Sequence, residues 1–269
     1  MANQTSPDAG GSQKDDSARP WKIATAVLSV LLVAGFAVFT QGAQRGAQPG
    51  ATTTVTVTAA PGDAASADAG AAGQAPVEQA EKQAQRDGLL SLPRRQEGDP
   101  MAKGRVDAPV VMTEWADYRC PFCSVFGEQT LPKLQPLIDD GTLRIEFRDF
   151  AIFGDDSVNA AAAARAAGQQ GRFWEYQLAL YQALPDQGHP PVGDDLVMQI
   201  AQQVGVADMA RFEADYRAEE TRRAVKADSE EAQQLGVKST PTFVVGGQVV
   251  SGAQPVEVFQ QVIEQEKGR

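Results

Sequence analysis

The sequence predicts an α/β domain that is interrupted by a long helical insert. Strand-like apolar runs at 108–116 (APVVMTEWA) and 142–153 (TLRIEFRDFAIF) flank a helical pattern. Two further apolar runs around Gly246-Gly247 are typical of a β-hairpin, and the helical pattern PVEVFQQVIEQEK follows them. The intervening residues, about 155–236, read as helices without a strand. We therefore expect a strand, helix, strand unit, then the insert, then a closing hairpin and helix.

The first two predicted strands differ in their patterns. Val110, Val111 and Met112 form a short apolar run with a β-branched bias, which is typical of a buried strand. In the second strand, apolar and charged residues alternate with a period of two, which also predicts a strand. The apolar positions are Leu143, Ile145 and Phe147, and the charged positions are Arg144, Glu146 and Arg148.

A helix is predicted to begin within the segment YRCPFC, residues 118–123. Pro121 suits the first turn of a helix because its missing N–H would have no partner there. Apolar residues then recur at helical spacing, at Val125, Phe126, Leu131, Leu134 and Ile138. Pro132 and Pro136 should kink or divide this helix. Cys120 is thereby placed at the helix N-terminus.

One segment of the insert, RFWEYQLALYQAL at 172–184, is rich in apolar and aromatic residues. These residues wrap the helix rather than forming a narrow stripe, which favours packing in a core. The alternative is a surface for unfolded client proteins. The residues concerned are Phe173, Trp174, Tyr176, Leu178, Leu180, Tyr181 and Leu184.

The N-terminal part is predicted to carry a membrane anchor between two unstructured segments. Residues 1–20 are small, polar and charged, so we expect a disordered cytoplasmic tail. Residues 21–40 include an uncharged apolar run that, at about 27 Å, could cross a bilayer as a transmembrane signal anchor. Residues 41–94 are rich in Ala, Gly, Thr and Pro and predict a flexible linker. The folded domain is expected at 95–269.

The distribution of basic residues predicts the orientation of this anchor. Lys14, Arg19 and Lys22 precede the apolar run and Arg45 follows it, so we expect the C-terminal domain outside the cytoplasm. A cleaved secretory signal is the alternative, although the sequence FTQGAQRG offers a poor cleavage site. Both interpretations place the domain in an oxidising compartment of the cell envelope.

Composition argues against two classes of function. The formal net charge is -11 and there is no basic cluster, so nucleic-acid binding is not expected. A structural zinc site needs four N or S ligands, whereas the chain has two cysteines and one histidine. We expect His189, the single histidine, to be a surface residue.

The two cysteines, Cys120 and Cys123, stand in C-x-x-C spacing. A bond between them would close a very short loop and stabilise the fold little, so a redox pair is favoured over a structural disulfide. A helix N-terminus stabilises a thiolate, which makes Cys120 the expected nucleophile and the deeper Cys123 the resolving cysteine. The charge of Arg119 should add to this effect, and that of Asp117 should oppose it.

Two other features are candidates for the same site. Glu114 lies six residues before Cys120 in an apolar strand, where a buried carboxylate could move protons during exchange. Strand alternation would alternatively point Glu114 to solvent. Thr240 and Pro241 stand at the entry to the apolar strand TFVV, a position where a proline is tolerated.

Three segments together resemble a known family. DPMAKGRVDAPVVMTEWADYRCPFC, FRDFAIFGDDSVNAAAAARAAGQQGRFWEY and GVKSTPTFVVGG are similar, in order and spacing, to the DsbA-like thioredoxin-fold oxidoreductases of the bacterial cell envelope. The resemblance covers about 95–267 and implies a thioredoxin fold with the insert at about 155–236. It also implies that Pro241 is cis and faces the cysteines, and that Thr240 offers backbone groups to an extended substrate, with Phe122 beside them.

The resemblance has one departure. Many family members carry a histidine where this chain has Phe122, which removes one donor to the thiolate and suggests a less oxidising potential. Threonine before the cis proline is seen more often in isomerase-type members.

We therefore expect a monomeric, membrane-anchored thiol-disulfide oxidoreductase that acts on cysteines of exported proteins. It would work with a membrane redox partner and need no organic cofactor, because the cysteines carry the electrons. Oxidase, reductase and isomerase directions stay open. The rival hypothesis is a tethered client-binding or chaperone module with a static disulfide.

Overall fold

A computed structural model describes the backbone of residues 71–269 and the side chains from residue 79 onward. The predicted tail at 1–20 and the predicted anchor at 21–40 lie outside these residues. Within the described part, no helix combines the length and the apolar character needed to cross a membrane.

The described residues form five strands, nine α-helices and one π-helical turn. The strands are β1 (Ala102–Lys103), β2 (Val110–Ala116), β3 (Leu143–Asp149), β4 (Thr242–Val245) and β5 (Gln248–Ser251). The helices are α1 (Ala71–Leu90), α2 (Pro121–Val125), α3 (Leu131–Asp139), α4 (Asp155–Gly168), α5 (Phe173–Ala183), α6 (Asp194–Gln203), α7 (Met209–Arg217), α8 (Glu219–Gln234) and α9 (Val256–Lys267), with the π-helical turn Phe126–Thr130 between α2 and α3.

The strands make one mixed sheet in the order β1-β3-β2-β4-β5. The central strand β2 runs parallel to β3 and antiparallel to β4. The edge strands β1 and β5 are both antiparallel to their neighbours. This arrangement confirms the predicted strand, helix, strand unit, the closing hairpin and the last helix.

The insert is helical throughout, as predicted for about 155–236. Helices α4 to α8 follow one another without a strand. The alanine-rich α4 has its alanines buried among α5, α6 and α7, because small side chains allow helices to approach closely. On the cysteine side of the sheet, α3 and α9 pack over Val110, Met112 and Ile145 and complete the core.

The helix that follows the cysteines is divided next to Pro132, as predicted, but it is not divided at Pro136, which lies inside α3. Regular α2 ends at Val125, and the π-helical turn leads into α3. Pro132 lies in the first turn of α3, where its missing N–H is tolerated. The helix therefore restarts beside Pro132, whereas α3 continues past Pro136 to Asp139.

The predicted flexible linker at 41–94 needs a correction, because α1 occupies its C-terminal part. Leu89 and Leu92 pack against the small cluster that contains Trp115. Arg86 forms an ion pair of 2.6 Å with Glu266, near the C-terminus of the chain. Composition could not show that this helix is ordered, because its contacts are to residues distant in sequence.

The charged face of β3 is buried as fully as its apolar face. Glu146 accepts hydrogen bonds from Arg144 (2.9 Å) and Arg148 (2.9 Å). The backbone N–H groups of Arg94 and Arg95 also donate to it, each at 2.8 Å. The alternation predicted the strand correctly, and a buried ion-pair layer covers its charged side.

Candidate functional site

The cysteine pair sits where β2 leads into α2. Cys120 is the N-cap residue of α2, with extended backbone (φ -87°, ψ 117°), and Pro121 occupies the first turn. The Cys120 carbonyl oxygen accepts from the N–H groups of Cys123 (3.0 Å) and Ser124 (3.2 Å). The predicted position of Cys120 at a helix N-terminus is confirmed.

Cys120 is the more acidic of the two thiols. Its pKa is lowered to about 6, chiefly because the Cys123 thiol donates a hydrogen bond to its sulfur. The N–H groups of Phe122 and Cys123 act in the same direction, while burial opposes them. A substantial fraction of Cys120 is therefore a thiolate at neutral pH.

Cys123 behaves in the opposite way. It is fully buried, and burial raises the pKa of its thiol well above 9.0, with the charge of Cys120 adding to the effect. The two cysteines are free thiols in this structure. The pair thus combines a thiol that ionises readily, although Cys120 is only 4% exposed, with a thiol that stays protonated behind it.

Glu114 lies on β2, and its side chain is buried, with a residue exposure of 2%. Its strand partners are Phe147 on β3 and Phe243 on β4, so it is surrounded by aromatic rings. Burial, and then the charge of Cys120, raise the pKa of Glu114 to about 8. The buried alternative for Glu114 is confirmed, and its carboxyl group is poised to exchange a proton near neutral pH.

The loop before β4 closes the site from the other side. The Thr240-Pro241 peptide bond is cis, as the family resemblance implied. The Cys120 thiol donates a hydrogen bond of 3.3 Å to the carbonyl oxygen of Thr240. Phe122 is 65% exposed beside the cysteines, which leaves its ring available to a binding partner.

Arg119 does not act as predicted. Its guanidinium group donates to the carbonyl oxygens of Phe153, His189 and Pro190 rather than serving the thiolate. The carboxylate of Asp156 also lies 3.8 Å from this guanidinium group, so Arg119 ties the insert to the active-site turn through loop backbone and one ion pair. This correction depends on loop positions that the local sequence does not reveal.

Asp117 is buried and organises the same turn. Its carboxylate accepts from the N–H groups of Arg119 (2.8 Å) and Ile152 (2.8 Å) and from the Ser157 hydroxyl (2.9 Å). Burial raises its pKa despite these bonds. It therefore holds two loops together.

His189 is exposed, as predicted, but it also contacts the site. Its Nδ1 donates to the carbonyl oxygen of Arg119 at 2.9 Å. Its ring stacks on Phe153 with centroids 3.5 Å apart. Within the described residues, no group of three or more His, Cys, Asp or Glu side chains could hold a metal ion.

Two tyrosines beside the cysteines were not singled out as site residues. Tyr118 and Tyr181 stack with centroids 5.7 Å apart, and both border the small hollow at Cys120. Tyr181 was expected in the core, and it is buried. The only sequence signal for Tyr118 is that it lies two residues before Cys120.

Comparison with known proteins agrees with this geometry. Residues 96–265 match the model of a family described as Thioredoxin. The chain is 30% identical over 152 residues to a probable disulfide bond formation protein D of Bacillus anthracis, covering 55% of this chain and 70% of that protein.

Solved structures are similar as well. The oxidised crystal structure of BdbD from Bacillus subtilis has a TM-score of 0.59 at 27% identity, covering 64% of this chain and 95% of BdbD. The alpha-DsbA1 of Wolbachia pipientis shares the fold, with a TM-score of 0.57 at 23% identity, covering 68% of this chain and 96% of that one.

Proposed function

Because this chain belongs to the thioredoxin family, as a DsbA-like thiol-disulfide oxidoreductase, we propose that Cys120 and Cys123 are its redox pair. The observation that carries the proposal is the split between the two thiols. Cys120 has a pKa of about 6 at a helix N-terminus, while the pKa of the buried Cys123 is raised well above 9.0. Such a split separates an exchanging sulfur from a resolving one.

In the direction of disulfide donation, a client thiolate attacks the Cys120 sulfur of the oxidised pair. The Cys120–Cys123 bond breaks, and Cys123 leaves as a thiolate that takes the proton of Glu114. The second thiolate of the same client then attacks the client sulfur of the mixed disulfide, and Cys120 leaves as a stable thiolate. Two electrons pass from the client to the cysteine pair, and the client gains a disulfide.

Reduction of a client disulfide is the same sequence in reverse. The Cys120 thiolate attacks the client disulfide, whose S–S bond breaks to leave one client thiolate and a mixed disulfide, and the Glu114 carboxylate accepts the proton of Cys123. The Cys123 thiolate then attacks the Cys120 sulfur and releases the reduced client. Glu114 suits both directions because its pKa of about 8 keeps both of its forms populated near neutral pH.

Clients are bound at the loop that carries the cis proline. The carbonyl oxygen of Thr240 lies within hydrogen-bond reach of the reacting sulfur, where an extended client segment can pair with the backbone of this loop. Pro241 shapes this loop, and the exposed ring of Phe122 offers an apolar contact on the opposite side.

The domain works outside the cytoplasm, held by the apolar segment at 21–40 near a membrane redox partner that resets the cysteine pair. An acidic thiol leaves readily and favours disulfide donation. A thiol pKa of about 6 lies between about 7 for thioredoxin and about 3.5 for DsbA, which suggests an intermediate potential.

The reduction potential of the full chain tests this proposal, with thiol trapping in glutathione buffers. A value above about -180 mV supports a disulfide donor, and one below about -250 mV supports a reductant. The Cys120→Ser variant should lose all exchange. If the cysteine pair never titrates and Cys120→Ser retains full client binding, the tethered chaperone with a static disulfide is the better description.

A further inference from the structure

A groove follows the contact between the helix that carries the cysteines and α5 of the insert. Its first wall is formed by residues at helical spacing, Cys120, Ser124, Gly127 and Leu131. Its second wall is formed by Trp174, Leu178, Tyr181 and Leu184. Tyr181 borders both the hollow at Cys120 and a cavity of about 260 Å³ around Leu131, so the two adjoin along one helix contact.

Gly127 lets the two walls meet. A Cβ atom at this position would lie 3.1 Å from ring carbons of Tyr181, which is closer than side-chain contacts normally are. Gly127 stays partly exposed, and Leu178 opposite it is 38% exposed. Gly127 and Leu178 are therefore the solvent-exposed part of the contact between the two hollows, while the Tyr181 ring beneath them is buried.

Lys103 places a positive charge at the end of the groove that lies far from Cys120. Lys103 Nζ lies 4.8 Å from the centroid of the Trp174 ring, which holds the ammonium group in place. Among the described residues, no carboxylate lies within ion-pair distance of Lys103. Burial lowers its pKa, the more distant charges of Glu175 and Asp139 oppose this effect, and a carboxylate bound beside Lys103 would raise the pKa further.

An amide group accompanies this cation. Gln177 is 4% exposed and lines the same cavity, and it makes no hydrogen bond to a described protein group. The remaining wall is largely apolar, with Leu131, Pro132 and Leu178. A cation and a free amide set in an apolar wall are complementary to a carboxylate carried on an apolar segment.

We propose that this groove binds a client segment that continues from the attacked cysteine and places an acidic side chain against Lys103. The inference rests on the proposed exchange at Cys120 and names the class of client. From Cys120 to Leu131 the helix advances about 16 Å, which an extended peptide spans in about five residues. Clients with a carboxylate five residues from the reacting cysteine are therefore preferred.

Peptides of matched sequence test this preference with the purified full chain. Each peptide holds one cysteine as a mixed disulfide with glutathione and carries Glu or Gln five residues before or after that cysteine. At one of the two positions, we expect the Glu peptide to oxidise the reduced enzyme roughly three- to five-fold faster than the Gln peptide. Quenched samples and thiol trapping give the rates.

Variants assign the preference to the cation. Lys103→Gln should abolish the difference between the Glu and Gln peptides, and Lys103→Glu should reverse it. Lys133→Gln is the matched control, since Lys133 is exposed on α3 outside the cavity. The ratio of two peptides on one variant does not depend on the fraction of folded enzyme.

The outcomes separate this inference from the proposed function. Glutathione disulfide is too short to reach Lys103 and reports exchange alone. If glutathione disulfide fails to oxidise the enzyme, the proposed exchange reaction is wrong. If it succeeds but the Glu and Gln peptides react at equal rates, or Lys133→Gln acts like Lys103→Gln, the groove inference is overturned.

Discussion

Two glutamates on neighbouring central strands are equally buried and differ in charge state. Glu114 on β2 is 2% exposed, and its pKa is raised to about 8. Glu146 on β3 is 0% exposed, and its pKa is lowered to about 2. Burial disfavours the charged form of both, but Arg144, the Arg94 backbone N–H and Arg148 outweigh it only at Glu146.

One sheet thus carries two buried carboxyl groups, of which Glu146 has a structural role and Glu114 is the one that we propose to be reactive. Glu146 is a permanent anion held in place by cationic donors. Glu114 makes no ion pair with a described residue and faces the cysteines, so its proton can move. Ionic and hydrogen-bonding partners, rather than the depth of burial, decide which carboxyl group can take part in proton transfer.

Glu146→Gln should produce the largest change. It leaves Arg144 and Arg148 buried without their counter-charge, so we expect the free energy of unfolding to fall by about 3–5 kcal/mol. Urea denaturation of the reduced full chain at pH 5 measures this. Glu114→Gln is the matched control and should change it by less than about 1 kcal/mol, because Glu114 is already protonated at that pH. Equal losses in the two variants would contradict the comparison.

The pH dependence of stability should also separate the two glutamates. The folded-state pKa of Glu114 is above its unfolded value of 4.5, so the folded state binds the extra proton and its advantage is lost as pH rises toward 8. From pH 5 to 8, wild type should lose stability relative to Glu114→Gln by up to about 1.4 kcal/mol per pH unit.

For Glu146 the sign is reversed. Its folded-state pKa of about 2 is below the unfolded 4.5, so its contribution is present above pH 4.5 and lost as pH falls through 2. Wild type should therefore lose stability relative to Glu146→Gln below pH 4.5. Denaturation midpoints from pH 2 to 5 check this, and a constant difference would count against it.

Glu114→Gln should slow catalysis more than it changes stability. Without the exchangeable proton, the step that breaks or forms the Cys120–Cys123 bond should slow by roughly ten- to a hundred-fold. Rapid quenching should show the mixed disulfide accumulating during client reduction. An unchanged rate across pH 6–9 would remove Glu114 from the proposed mechanism.

Phe122→His should have the smallest effect and extends the comparison to the thiolate. Among the described residues, neither Cys120 nor Glu114 has a cationic partner, because Arg119 is bound to loop carbonyls. A histidine at the exposed position 122 would stabilise the thiolate, and the reduction potential should rise by about 30 mV for each tenfold gain in the equilibrium constant. Phe122→Leu, which adds no donor, should leave the potential unchanged, and a wild-type value near -120 mV would refute the expectation that Phe122 makes this protein less oxidising than DsbA.

Much of the fold followed from local pattern. The period-two alternation of β3, the apolar run of β2, the Gly246-Gly247 turn and the helical insert all lie where the sequence placed them. Helix α1 did not, because its order depends on the Arg86–Glu266 pair and on Leu89 packing far along the chain. The composition of a segment does not show which distant residues it contacts in the folded protein.

By itself, the sequence determined the cysteine pair and its place at a helix N-terminus, since these depend on residue types a few positions apart, whereas the cis form of Pro241 was implied by the family resemblance. Only the tertiary structure decided the charge states of the buried glutamates and the surfaces that are open to a client. Glu114 and Glu146 occur in similar strands, and their pKa values diverge because donors from other segments reach one and not the other. The same holds for Arg119, Tyr181 and Lys103, whose contacts come from elements about 30 to 70 residues away along the chain and were fixed only when the insert packed against the sheet.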